Sequence, residues 1–199
     1  MASPVRFWGT VAAVKPRLVL TKFGGDTQAK CHGHLFVMEG THGPVGSGGD
    51  SQNAPFTGRF TVALGPATQA QRHIGPGDLL RGDAHSVPAD GVPDIPADLY
   101  RVGTLRVLAR RGDPGTPPLP SSDPPRTDPP LSPETAETAG RRALAPVNLL
   151  APDGPCAPCP YGTIVPVVRL TDPRDFRNGR WSQVPACLGP RDCPYYSAP

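Results

Sequence analysis

Lysine is nearly missing from this chain. Three lysines stand against seventeen arginines, the balance a GC-rich genome produces, so the arginine excess is not by itself a sign of chemistry. Aromatic residues are scarce at 6%, which leaves few rings to share between a core and a stacking surface. Apolar residues make up 37% of the 199 positions, too few for the whole length to pack around one core. No run approaches the roughly 18 apolar residues of a membrane-spanning helix. The start, "MASPVRFWGTVAAV", lacks a charged segment followed by a long apolar one. No signal peptide is therefore expected, and the expected compartment is a reducing cytoplasm, with no membrane partner.

Proline and glycine are abundant, with 29 and 23 residues. Residues 113–133, "DPGTPPLPSSDPPRTDPPLSP", hold nine prolines and hardly one large apolar side chain. Such a segment cannot bury enough surface to offset its ordering entropy, so a disordered linker is expected. Ser132 and Pro133 then predict the start of a short helix over Glu134–Leu144. Charge divides the chain at the same places: residues 1–112 carry 12 basic and 8 acidic groups, 113–155 carry 3 and 6, and 156–199 carry 5 and 3. The expected organisation is a β-rich domain over 1–112, a proline-rich linker over 113–150, and a small cysteine-bearing module over 151–199. The fold class is mainly β.

The N-terminal part reads as five strands. "RFWGTVAAVKPRLVLTKF" alternates Phe7, Gly9, Val11 and Ala13 against Trp8, Thr10 and Ala12, with Pro16 marking a bend or bulge. "CHGHLFVMEG", "GRFTVALG", the turn and strand "IGPGDLLRGDAHSV", and "LYRVGTLRVLARR" supply the others, and "PATQAQRH" predicts a short helix before the fourth. Five strands, the first long and bent, with a helix before the fourth, resemble the OB-fold, a small Greek-key barrel.

The C-terminal part carries Cys156-x2-Cys159, then 27 residues, then Cys187-x5-Cys193. Between the pairs, "TIVPVVRL" and "RWSQVPA" read as strands around the turn-rich "TDPRDFRNG". A hairpin of this kind brings the four sulfurs to one end. The layout resembles a zinc ribbon, and "CAPCPYG" resembles a rubredoxin-type knuckle. The resemblance implies a structural metal on Cys156, Cys159, Cys187 and Cys193, zinc first and an iron–sulfur cluster as the alternative. The five-residue spacer of the second pair departs from the usual two to four. A redox dithiol wants its pair at a helix start, and here Pro160 and Gly162 lead into a strand. A module this small has little core, which itself argues for a metal staple. In "CHGH", His32 and His34 alternate against Cys31; the simplest reading is a polar outer strand face with Cys31 as a small core residue.

No phosphate-binding loop, nucleophile elbow or zinc-hydrolase histidine pair is present, so nothing here points to an enzyme. "GSGGD" at 46–50 reads as a loop and Asp78 in "GPGD" as a turn residue. The two Arg-Gly-Asp triplets are what this composition produces by chance. OB-like barrels bind single strands by stacking bases on rings and tracking phosphates with Arg or Lys. Phe7, Trp8, Lys15, Arg17, Lys22, Phe36, Arg59 and Phe60 are candidates on the early strands. Arg174, Phe176, Arg177, Arg180 and Trp181 form a second group at the hairpin tip. The expected function is single-stranded DNA or RNA binding. The alternatives are a protein-interaction adaptor, whose proline-rich linker docks a partner, and an iron–sulfur or redox protein.

Overall fold

The computed structural model describes residues 4–45, 56–114, 132–142, 159 and 161–188. The expected linker over 113–150 lies outside these residues except at 113–114 and 132–142, and Cys156 and Cys193 lie outside them too. The chain forms β1 (Pro4–Phe23), β2 (Asp26–Pro44), β3 (Phe56–Leu64), α1 (Pro66–Arg72), β4 (Leu79–Ser86), β5 (Leu99–Ala109), α2 (Pro133–Arg142), β6 (Gly162–Arg169) and β7 (Arg180–Cys187). Among the described residues, no helix is long and apolar enough to cross a membrane.

These residues divide into two compact units that do not follow chain order. The first takes those within 1–14, 33–92 and 97–130, and the second those within 15–32, 93–96 and 131–199. Residues 15–32, expected in the N-terminal domain, thus belong with the C-terminal segments. β1 and β2 run through both.

The first unit is a closed five-stranded barrel. β1 pairs with β4, β4 with β5, β5 with β3, β3 with β2, and β2 again with β1. All registered pairs are antiparallel except β3 with β5, which meet in parallel at Val62 and Leu99. Thr61 and Asp98 reinforce that one parallel contact: Asp98 Oδ2 accepts from the Thr61 amide at 2.7 Å and its hydroxyl at 2.8 Å. Alternation sends Val5, Phe7 and Val11 of β1 inward, against Phe36, Met38, Phe60, Val62, Leu80 and Leu99. Each fully buried side chain of this size contributes roughly 1.5–3 kcal/mol.

Two strands close the barrel where side chains are absent. A Cβ on Gly9 would meet the Glu39 carbonyl oxygen at 2.5 Å, and one on Gly40 would overlap the Trp8 carbonyl. Only hydrogen at both positions lets β1 and β2 approach this closely. Along β1 the buried positions alternate on odd numbers from Val5 to Val11 and on even numbers from Val14 to Leu20, with Thr10 and Val19 buried besides. A period-two strand changes phase only through an irregularity, and it comes just ahead of Pro16, where a bend was expected.

The second unit holds the distal halves of β1 and β2, which turn at Gly24 (φ 56°) and Gly25 (φ 90°), a left-handed pair of the type I′ kind. β6 joins β1 in parallel at Leu20–Val167 to Lys22–Arg169, and β7 pairs antiparallel along all of β6. α2 starts where Ser132 and Pro133 predicted, with Ser132 Oγ accepting from the Thr135 amide at 3.2 Å. It packs through Ala136, Ala139 and Gly140, all buried, on a core of Leu18, Leu20, Ala29, Val165, Val167, Ala186 and Leu188. A Cβ at Gly140 would meet Leu18 at 2.8 Å, so the helix lies close because its face is small.

Candidate nucleic-acid interface

The barrel's inward phase decides which β1 residues face water. With Phe7 at 1% exposure, its neighbour Trp8 is turned out, 45% exposed. In register beside Trp8 stands Arg81 on β4, and beside Arg81 stands Arg106 on β5. All three are exposed. The next row outward reads Arg6, Asp83, Thr104, and it is internally satisfied. Arg6 Nε donates to Asp83 Oδ1 at 2.8 Å, and the Thr104 hydroxyl donates to Asp83 Oδ2 at 2.7 Å. The hydrogen bond to Asp83 raises the Arg6 pKa, and the bonds from Arg6 and Thr104 hold the Asp83 carboxyl below its ordinary value.

Of the other rings expected on this surface, Phe7, Phe36 and Phe60 are core residues, at 1%, 0% and 2% exposure, and offer no stacking face. The reason is parity, which places them on the same side of their strands as Val11, Met38 and Val62. The basic residues expected beside them are engaged within the fold. Lys15 Nζ donates to the Gly162 carbonyl at 2.6 Å, and Arg17 Nη2 to the His32 carbonyl at 2.7 Å. Burial lowers the Arg17 pKa. Arg59 pairs with Glu39 at 2.6 Å across β2 and β3. Lys22 is half-buried.

Asp78 is more than a turn residue. It is 4% exposed and accepts from the amides of Gly75 and Arg111 at 3.0 and 3.1 Å and from Arg110 Nη1 at 2.7 Å. The same guanidinium donates to the carbonyls of Arg72 and His73, which closes the C-terminal end of α1. Between α1 and β5 lies an open groove of about 730 Å³ whose lining includes Arg72, Thr104, Arg106 and Leu108.

At the tip between β6 and β7, Phe176 is 52% exposed, with Arg174, Arg177 and Arg180 also exposed and Trp181 half-buried. The aspartates there shape the turn: Asp172 accepts from the Arg174 amide, and Asp175 accepts from the amides of Arg177 and Asn178 and the Asn178 side chain. Those bonds, Asn178's foremost, lower the Asp175 pKa.

At the opposite end of this hairpin Gly162 faces Cys187 in register, and its amide donates to the Cys159 carbonyl at 3.2 Å. One turn therefore carries Cys159 to the strand end where Cys187 sits. Among the described residues no group of three metal-ligating side chains converges; Cys156 and Cys193 are not among them.

The "CHGH" strand differs from its expected polar outer face. His34 is 6% exposed, because the alternation of β2 puts it on the same side as the core residues Phe36 and Met38. Cys31 packs against the second unit's core. Burial lowers the pKa of His32, His34 and His42 alike.

The registered pair Arg81 and Arg106 was missed in the sequence. The usable signal was outward parity: Leu80, Gly82 and Ala84 point in, so Arg81 points out. Compared with protein-family models, curated proteins and solved structures, the chain matches none.

Proposed function

We propose that this protein is a binding module for single-stranded DNA or RNA, built on an OB-like barrel and stapled by a four-cysteine zinc-ribbon-like site. The observation that carries the reading is Trp8, a large indole turned to solvent on a closed barrel with an arginine in register beside it. A tryptophan left half exposed is a cost in a solitary domain, whereas a base stacked on it offsets that cost and makes the contact sequence-tolerant. The barrel's strand order and the helix between β3 and β4 support the OB-like assignment.

The hairpin supports the metal. Cys159 and Cys187 share one strand end, which fits half of a tetrahedral thiolate site, and Cys156 and Cys193 would complete it. Bound zinc would cross-link the hairpin's ends and do no chemistry, since four thiolates leave no open position. A reducing cytoplasm suits such a site. An iron–sulfur cluster on the same cysteines is the alternative, distinguished by a brown protein.

The test of the function is a titration of labelled poly-dT and poly-U at low and moderate salt. Trp8→Ala is expected to weaken binding by about 1–3 kcal/mol while leaving the melting temperature nearly unchanged. No binding by the unmodified protein at low salt sinks the reading and leaves a protein-interaction role in front.

A further inference from the structure

Resting on that reading, the geometry points to a specific path for the strand: across the outer faces of β1, β4 and β5 and into the groove beside α1, with Trp8 as the stacking platform and Arg81, Arg106 and Arg72 as phosphate contacts. This is not the β2–β3 ladder, where Arg59 is paired with Glu39.

Three observations carry it. Arg81 and Arg106 stand directly opposite each other in an antiparallel ladder, and like charges so placed destabilise a sheet. The adjacent row places Asp83 between Arg6 and Thr104; the row of Trp8, Arg81 and Arg106 contains no acidic residue. Asp83 attracts Arg81 weakly from the side but spends its hydrogen bonds on Arg6 and Thr104. An anion over the row relieves the repulsion.

The row also leads somewhere. Arg106 lines the open groove that Arg72 borders from α1, together with Leu108, a leucine left 48% exposed. Arg110, at the groove's edge, is already committed to Asp78 and the α1 carbonyls, so it shapes the wall while Arg72 and Arg106 supply charge. Across three strands at ~4.8 Å spacing the row is about 10 Å long, enough for about three nucleotides at ~3.4 Å each. A ring, two cations, then a groove with a third cation and an apolar floor suits alternating bases and phosphates.

The experiment compares Arg81→Gln, Arg106→Gln and Arg72→Gln with Arg59→Gln, using labelled oligo-dT and oligo-U of about 12 nucleotides across a salt series. Each of the first three is expected to weaken binding several-fold and to lower the slope of log affinity against log salt by up to ~0.7. Arg59→Gln should change neither. A second readout separates this role from a structural one: Arg81→Gln and Arg106→Gln remove like-charge repulsion, so the free protein should melt at the same or a higher temperature. Oligonucleotide binding that survives all three substitutions with an unchanged slope overturns the path while the function above stands. Failure of the unmodified protein to bind at low salt overturns both. Equal binding of an acidic peptide through the same three arginines reassigns the face to a protein partner and overturns the proposal.

Discussion

Arg110 reaches Asp78 with Nη1 2.7 Å from Oδ2, and through this pair the end of β5 holds both the α1 terminus and the turn before β4. The carboxylate is 6% exposed and the guanidinium 45%, so the two partners are not equivalent. Asp78→Ala leaves two backbone donors and a guanidinium without their acceptor, and about 2–4 kcal/mol of stability should be lost. Arg110→Gln removes a half-solvated charge and should cost about 1 kcal/mol. Urea denaturation of the two variants checks the order; equal losses would mean the amide contacts carry nothing.

Gly40→Ala should strain the barrel at its closing seam. The added methyl overlaps the Trp8 carbonyl, backbone that has no rotamer to escape into. A cost of about 1–3 kcal/mol is expected. Amide exchange across Trp8–Thr10 should quicken in the variant, and a silent result would place the seam elsewhere.

Acid should weaken the fold from near-neutral pH. Burial holds the imidazoles of His32, His34 and His42 below their ordinary pKa of about 6.5. The unfolded chain therefore takes up protons first as pH falls. Stability is full above about 6.5 and declines toward the folded pKa values, with a slope for each group of at most about 1.4 kcal/mol per pH unit. His34→Leu, which replaces a buried ring whose Nδ1 has no hydrogen-bond partner among the described residues, should flatten the decline. Melting curves between about pH 7.5 and 5 test this.

Purified protein should carry one zinc per chain, and Cys159→Ser or Cys187→Ser should each reduce it to near zero and lower the melting temperature. Metal analysis with a chelator-treated control decides. Full metal content in both variants would remove these two cysteines from the site.

The individual elements were legible because local rules wrote them. Ser132 caps and Pro133 opens the first turn of a helix-forming run, and the alternation around Phe7 and Trp8 has no other comfortable form than a strand. What a strand's alternation does not say is which phase turns inward. Trp8 and Phe60 looked interchangeable, yet one is exposed and the other lies beneath His42 and Phe56 in the barrel's aromatic cluster. Arg81 and Arg106 were equally hidden: each sits in an ordinary amphipathic strand, and only the β4–β5 register makes them neighbours. The reassignment of residues 15–32 has the same origin, since the parallel ladder between Leu20 and Val167 joins segments that share no local pattern.

That ladder also sets an order of events in synthesis. Lys15 and Gly162, bonded in the finished protein, are 147 positions apart, and at ~5–20 residues per second a ribosome needs about 7 to 30 s to travel between them. The five barrel strands emerge within the first 109 residues and can pair before then. For that interval Leu18 and Leu20 stand on a strand whose β2 neighbour is present but whose β6 neighbour does not yet exist. A nascent chain stalled there would present an open apolar strand edge, the form in which strands recruit the wrong partners.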